Sequence, residues 1–173
     1  MSSEYQKENI EANDLRQFAE IAEDVLRSTR YGNEYAASLL TITLCQGGAN
    51  HYVVTHGYAR RYLDPAKNGL KDIDIWFFFR KKGFHPQWHR KRDFGKSKFG
   101  RNPREPAYVG RRMDFYGRSI QFLNGDTVKS ALERWLKSGR PKSSPWYLSQ
   151  KAIVAIFPKD MIGRVLWVNP DLT

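Results

Sequence analysis

Two aspartates, one residue apart, stand at the start of a strongly hydrophobic stretch, Lys71–Phe79 (KDIDIWFFF). The stretch predicts a β-strand, and successive strand side chains point to opposite faces, so Asp72 and Asp74 share a face while Ile73 and Ile75 point into the core. Neighbouring carboxylates repel each other unless a cation lies between them, and their oxygens suit Mg²⁺ or Mn²⁺ bound together with substrate phosphates. The pair therefore indicates a metal site; the alternative is a solvated pair at a strand start.

A third aspartate, Asp114, lies in a later β-like segment, Arg112–Phe122 (RMDFYGRSIQF). Its apolar neighbours Met113 and Phe115 would face the core, so Asp114 could lie beside the first pair if the two strands are adjacent. Three aspartates on one sheet face can hold two metal ions, one activating an attacking hydroxyl and the other binding a triphosphate. The alternative is a salt bridge from Asp114 to Arg111, Arg112 or Arg118.

A Gly47-Gly48 pair separates a predicted strand, Ser38–Leu44, from a predicted helix, Ala49–Leu63. In a strand–turn–helix unit, exposed backbone N–H groups and the helix N-terminus can receive phosphate, although most Gly-Gly pairs are plain turns. The chain has neither a GxxxxGK[ST] nor a GxGxxG motif, which argues against a P-loop NTPase and a Rossmann dehydrogenase.

The positive charge is concentrated in one segment. The whole chain carries +11, and the stretch Arg80–Arg112 holds twelve basic residues against two acidic ones. Such a stretch is typical of a surface that binds a polyanion such as RNA. Aromatic residues are interleaved with the charges and could stack on bases. The residues predicted to bind nucleic acid are Trp88, Arg90, Lys91, Arg92, Lys96, Lys98 and Arg101.

The alternative for this basic segment is a folded-back loop whose aromatics serve the core. Without a ligand, the like charges predict that residues 80–104 are mobile. His85 and His89 could bind zinc if they lay on a helix, but the Gly- and Pro-rich surroundings argue against that helix. Lys151 could reach a triphosphate, and a surface lysine is the simpler interpretation.

The elements that must position these residues can be read from periodicity and turn signals. Helices and strands are intermixed, which predicts an α/β (α+β) protein: a small mixed sheet with flanking helices. The remaining expectations are a helix with Leu15 to Leu26 on its apolar face, an irregular basic loop over 80–106, a turn or bulge at Gly117, helices over Thr127–Ser138 and Pro145–Phe157, and an edge strand over Val165–Val168.

The chain of 173 residues is expected to form a single domain over 12–173 after a polar leader over 1–11. Its apolar runs are too short to span a membrane, and its N-terminus lacks a signal-like stretch. One cysteine, Cys45, excludes an internal disulfide and suits a reducing compartment. The expected location is cytoplasmic.

The order of these motifs, a strand, Gly-Gly, a helix, Asp-x-Asp and a later lone Asp, resembles the DNA polymerase beta-like nucleotidyltransferase superfamily. The stretches CQGGANHY, NGLKDIDIWFFF, GRRMDFYGRSI and SQKAIVAIFP look more particularly like a poorly characterised bacterial branch of nucleotidyltransferase-like proteins. The resemblance covers roughly residues 38–168. Gly48 stands where the superfamily often has Ser, and the long spacing from Gly48 to Asp72 indicates an insertion around Val54–Leu63.

The resemblance implies a nucleotidyltransferase fold in which Gly47 and Gly48 contact nucleotide phosphates, Asp72 and Asp74 ligate the metals, and Asp114 completes the site and assists the acceptor hydroxyl. The expected activity is Mg²⁺- or Mn²⁺-dependent transfer of a nucleoside monophosphate from an NTP to a hydroxyl of RNA, protein or a small molecule. The expected counter-charges to the triphosphate are Lys71, Arg111, Arg112 and Arg118.

Two alternatives stay open. One is a catalytically inactive nucleic-acid-binding module of the same fold. The other is an antitoxin-like protein-interaction component whose basic loop docks an acidic partner. The expected partners of the chain are a nucleotide and, through the basic segment, RNA or another polyanion.

Overall fold

A computed structural model describes residues 9–30, 32, 36–59, 70–82 and 87–172. Within them the chain is a mixed α+β protein built on one six-stranded sheet of order β3-β4-β2-β1-β5-β6. The strands are β1 Leu39–Cys45, β2 Ile73–Arg80, β3 Trp88–Asp93, β4 Arg112–Ile120, β5 Ala152–Phe157 and β6 Val165–Val168. The helices are α1 Ala12–Ser28, α2 Gln46–Thr55, α3 Val128–Lys137 and α4 Ser144–Ser149, with short 3₁₀ turns at Ala36–Ser38, Lys159–Met161 and Pro170–Leu172. The predicted fold class is confirmed.

The first helix is amphipathic, as its spacing predicted. Its N-cap is Glu11, whose backbone N–H donates to Asp14 Oδ2 at 2.8 Å. The capping box satisfies backbone donors that the first turn leaves open. Ile10, inside the predicted leader, is fully buried, and residues 1–8 lie outside the described part.

The two faces of the sheet carry separate hydrophobic cores. Ile75, Phe77 and Phe115 point to the face covered by α1 and α2, called here the α1/α2 face. Trp76 and Phe78, from the alternate positions of β2, pack with α3 and α4 residues on the α3/α4 face. Since side chains alternate along a strand, the even-numbered aspartates of β2 and β4 lie on the α3/α4 face.

One strand pair of the sheet is parallel, and it sets the position of the aspartates. β2 pairs in parallel with β4, with Asp74 opposite Asp114, whereas every other pair is antiparallel. A parallel pair needs a long crossover connection, and the basic segment is that connection. Part of it forms β3, which pairs antiparallel with β4 at the sheet edge.

Several predicted elements were wrong in part. The segment predicted as an irregular loop contains β3. Most side chains of β3 are charged and not buried, and only Trp88 is buried, so the sequence lacks the apolar alternation that predicts a strand. The predicted helix Pro145–Phe157 ends at Ser149, and its second half is β5 in the sheet interior, because a short apolar run does not distinguish a buried helix from a buried strand. Gly117 lies inside a continuous β4 rather than at a turn. The α2 helix is confirmed to Thr55, and residues 60–69 are outside the described ranges.

No helix in the described part of the chain is long and apolar enough to cross a membrane.

Candidate functional site

The three predicted aspartates meet at one point of the sheet. One carboxylate oxygen from each of Asp72, Asp74 and Asp114 lies within 4.8 Å of the others. Asp72 immediately precedes β2, Asp74 is in β2, and Asp114 is its parallel partner in β4. The parallel register therefore brings together residues that are about forty positions apart in the sequence.

The Asp74 carboxylate carries the clearest electrostatic signal. Burial, followed by the charges of Asp72 and Asp114, raises the pKa of Asp74 well above its usual range, and Lys151 and Arg112 offset this only in part. Within the described ranges Asp74 forms neither an ion pair nor a side-chain hydrogen bond. A group that is both crowded by like charge and unpaired favours a bound cation.

The negative charge of the three aspartates also affects the pKa of Tyr116, which lies next to the cluster. Burial and then the charges of the three aspartates, Asp114 first, raise the pKa of Tyr116 to about 12.

The three aspartates offer hard carboxylate oxygens, which are the ligands that Mg²⁺ and Mn²⁺ prefer. The donor set fits the metal that the sequence predicted.

Arg112 is the main counter-charge inside the cluster. Its Nη2 lies 3.0 Å from Asp72 Oδ2 and its Nε lies 2.9 Å from Asp114 Oδ2, while Nη1 pairs with Glu105. Burial lowers the pKa of Arg112, but Asp114, Glu105 and Asp72 outweigh it and raise the pKa overall. Arg112 was predicted to face a triphosphate, and here it binds protein carboxylates.

The N-terminus of α2 lies beside the aspartates. Cys45, the last residue of β1, pairs with Asp74 and is the N-cap of α2, with no side-chain capping bond. Gly47 and Gly48 therefore lie in the first helical turn rather than in a separate loop. A Cβ on Gly47 would meet nothing within 4 Å, whereas one on Gly48 would lie 2.8 Å from Leu44 Cδ1. Gly47 therefore leaves the backbone N–H groups of this turn accessible to a ligand, and Gly48 leaves room for the side chain of Leu44.

Three further predicted counter-charges are not brought into the cluster. Arg111 is 1% exposed and donates from Nε to the Phe99 carbonyl at 3.0 Å, beside the α1/α2 core. Arg118 is on the α3/α4 face, where its guanidinium donates to Ser144 Oγ at 3.4 Å and lies over the Trp76 ring. Lys71 is exposed, and no ion pair joins it to another described residue.

Lys151 is not among the residues of the predicted site, but the structure brings it close to the aspartates. It lies two residues before Ile153, which pairs with Cys45 in β1, and Cys45 pairs in turn with Asp74. Its charge lowers the pKa of Asp74. The sequence predicts a helix for this segment, and that prediction does not place Lys151 near the aspartates. In the structure Lys151 directly precedes β5, which brings it to the side of the sheet where the aspartates lie.

Parts of the basic segment are structural. Trp88 is 7% exposed and packs on Phe77 with ring centroids 5.0 Å apart, so its predicted role in stacking on bases is wrong. Two predicted phosphate-binding residues instead hold the segment to α1: Arg92 pairs with Asp24 and Lys98 with Asp14, each at 2.7 Å. These contacts also contradict the expectation that the whole segment is loose.

Other cations of the segment remain available. Arg90, Lys91, Lys96 and Arg101 are exposed, and none of them forms an ion pair with a carboxylate in the part of the chain that the structure describes. They are the residues of the predicted nucleic-acid set that could contact phosphates. His85 lies outside the described residues, and His89 is in β3 rather than on the helix that a zinc pair with His85 would have needed.

The site combines three converging carboxylates, an open helix N-terminus and exposed cations on the crossover connection. This arrangement can hold a divalent ion and phosphate groups side by side. Comparisons with protein-family models, with curated proteins and with solved structures found no match to the chain.

Proposed function

We propose that the protein is a nucleotidyltransferase that uses Mg²⁺ or Mn²⁺ to move a nucleoside monophosphate from an NTP to an acceptor hydroxyl. The observation that carries the proposal is the Asp74 carboxylate, which has no ion-pair partner among the described residues, lies within 4.8 Å of oxygens of Asp72 and Asp114 and is beside the N-terminus of α2. The resemblance in the sequence supports the same assignment.

In this proposal Asp72, Asp74 and Asp114 hold the metal. A bound ion would offset the charge of the phosphates and of the attacking oxygen. The acceptor oxygen forms a bond to the α-phosphorus, the bond to pyrophosphate breaks, and the hydroxyl proton passes to a carboxylate, which the resemblance implies is Asp114.

The other residues of the site bind and orient the nucleotide. Backbone N–H groups in the first turn of α2 receive phosphate oxygens, and Gly47 allows the close approach because no Cβ stands in the way. Lys151 adds positive charge on the Asp74 side of the site, where it can balance the phosphates.

The test is calorimetric titration with each NTP, with and without Mg²⁺, followed by transfer of label from an α-phosphate-labelled NTP to RNA. The double variant Asp72→Asn/Asp74→Asn is expected to lose Mg²⁺-dependent binding and to stay folded, because it breaks the Asp72–Arg112 ion pair but also removes the repulsion between the two carboxylates. The control is Asp160→Asn/Asp171→Asn, which removes two exposed carboxylates elsewhere. If the wild-type protein binds no NTP with either metal, the proposal fails.

One observation favours an alternative, a catalytically inactive nucleic-acid-binding module of the same fold. Arg112 already neutralises Asp72 and Asp114 in part, so the cluster could be stable without metal. RNA binding through Arg90, Lys91, Lys96 and Arg101 in the absence of any NTP binding would support this alternative.

A further inference from the structure

A column of stacked rings crosses three strands next to the aspartate cluster. His89 of β3 stacks on Tyr116 of β4, with centroids 4.4 Å apart and planes 7° from parallel. Tyr116 stacks in turn on Trp76 of β2, at 4.6 Å and 20°. The three residues are direct neighbours in the register of the sheet. The spacing of adjacent strands, about 4.8 Å, explains why rings on one row can stack face to face.

The column ends in a ring with an open side. β3 is the edge strand of the sheet, so among the described residues no further strand lies beyond His89, and the side chain of His89 is 41% exposed. One ring face contacts Tyr116, and the opposite face points away from the sheet. Another planar ring can continue the column there at the same spacing.

The surroundings of His89 indicate what kind of ring this would be. His89 Nε2 lies 2.9 Å from Asp114 Oδ1, so one edge of the His89 ring contacts the aspartate cluster. Arg90 and Lys91, which follow it in β3, are exposed and form no ion pair with any carboxylate that the structure describes. A ring that arrives with phosphates attached is therefore complementary to this edge, and a nucleobase is such a ring.

We propose that the exposed face of His89 is a stacking site for a nucleobase. The site deepens the proposed function and rests on it for its role in catalysis: it would hold the base of either the incoming nucleotide or the acceptor RNA next to Asp114. Both sources present the same chemistry, a planar heteroaromatic ring with phosphate nearby. Stacking on an aromatic ring tolerates all four bases, so the site adds affinity without selecting a sequence.

Two variants separate stacking from the hydrogen bond to Asp114. His89→Phe keeps a ring and loses the bond, whereas His89→Gln keeps a nitrogen that can donate to Asp114 and loses the ring. Tyr58→Gln is the control, because it removes an exposed ring elsewhere, 53% accessible after the end of α2. Both positions are exposed enough to change without loss of the core, and thermal midpoints verify that each of the three variants is folded.

Each source of the base has its own pair of probes. ATP and UTP are compared with inorganic tripolyphosphate, in the presence of Mg²⁺, to test the incoming nucleotide. A ten-residue oligouridylate is compared with an abasic ten-residue oligomer, without NTP, to test the acceptor strand. In each pair only the first probe has a base to stack.

The expected result is that His89→Gln weakens binding of the base-containing probe by about tenfold in one of the two pairs, a typical effect of one lost stacking contact. The base-free probe should be unaffected, and His89→Phe should bind within about twofold of wild type. The pair in which the loss occurs identifies the source of the base. If His89→Gln changes neither pair, or if His89→Phe is as weak as His89→Gln, the stacking site is refuted.

The outcome is distinguishable from that of the proposed function. Absence of Mg²⁺-dependent NTP binding in the wild-type protein, together with a loss confined to the oligonucleotide pair, would refute the nucleotidyltransferase and keep the stacking site. Normal NTP binding and label transfer with no effect of His89→Gln would do the reverse.

Discussion

Arg112 donates from Nε to Oδ2 of Asp114 at 2.9 Å, from the same face of the same strand. The guanidinium thus occupies one oxygen of a carboxylate that is proposed to bind the metal, and its Nη1 pairs with Glu105 at the same time. Arg112 acts as an internal counterion of the aspartate cluster, and a metal would have to compete with it.

This competition predicts that Arg112→Gln binds Mn²⁺ about tenfold more tightly than the wild-type protein, because an opposite charge at contact distance is worth on the order of a few kcal/mol near a protein surface. Without metal, the same variant should have a lower thermal midpoint, since the carboxylates lose their partner. Calorimetry with Mn²⁺ alone measures the first effect. Arg101→Gln, at an exposed arginine, is the control, and equal Mn²⁺ affinity in the two variants would contradict the role of Arg112.

Gly47 and Gly48 should respond oppositely to alanine. Gly47→Ala is expected to raise the free energy of unfolding by up to about 1 kcal/mol, because alanine favours the helix and its Cβ meets open space. The same methyl group should weaken NTP binding by blocking the approach of phosphate. Gly48→Ala should lower stability through its contact with Leu44. Urea denaturation and calorimetry measure the two quantities, and unchanged NTP affinity in Gly47→Ala would exclude phosphate contact at this turn.

Trp88→Ala is expected to lower the free energy of unfolding by about 3 to 5 kcal/mol, because a buried ring between Phe77 and Gly117 is lost. The salt dependence of RNA binding by the folded fraction should not change. Urea denaturation and filter binding over a salt series measure these effects. Trp88→Phe keeps most of the packing and should be the milder variant. If Trp88→Ala weakened RNA binding without lowering the free energy of unfolding, Trp88 would belong to the nucleic-acid interface after all.

The exposed cations of the basic segment predict a salt-dependent RNA affinity. Replacing Lys91, Lys96 and Arg101 with alanine should reduce the slope of log K against log salt by about 2, since each phosphate contact with a single strand contributes about 0.7. The control replaces the exposed Lys137, Arg140 and Lys142, which removes the same charge outside the basic segment. Equal slopes for the two triple variants would mean that RNA responds only to net charge.

Asp126 should contribute to stability in a pH-dependent way. Hydrogen bonds from Arg134 and the Leu123 backbone N–H hold the pKa of Asp126 below its usual range against the opposing effect of burial. A carboxyl with a lowered pKa in the folded state stabilises above its unfolded pKa, about 3.9, and this contribution is lost as the pH falls further. Asp126→Asn should therefore lower the urea midpoint at pH 6 more than at pH 2. Asp160→Asn is the control, and a deficit that does not depend on pH would contradict this assignment.

The sequence predicted the aspartate cluster because strand alternation is a local rule. Asp72, Asp74 and Asp114 could each be assigned a face from their neighbours alone. The parallel pairing of β2 with β4 could not be derived in this way, since it depends on the long connection between them. The Arg112–Asp114 ion pair lies within one strand and is one of the alternatives that the sequence offers for Asp114, whereas the contact from Arg112 to Asp72 depends on that pairing and cannot be derived locally.

The errors have physical causes of the same kind. Trp88 looked like one aromatic among many charges, because the partner that buries it, Phe77, is in another strand. Arg111 was counted as a free cation although its backbone neighbours turn it toward Phe99. Tertiary contacts decide whether a charged or aromatic side chain is buried, and the composition of a short stretch of sequence does not reveal those contacts.

Cys45 gives the aspartate site an internal reporter. The thiol is fully buried, its Sγ lies 3.2 Å from Thr43 Oγ1, and its residue pairs with Asp74 across β1 and β2. Burial raises the pKa of Cys45, so the folded chain offers almost no thiolate to a reagent. Because the chain has one cysteine and its side chain packs in the core of the α3/α4 face, the rate at which a disulfide reagent labels it measures how often that core opens beside the aspartates. Any ligand that clamps the aspartates should slow this labelling, without a chromophore having to be introduced.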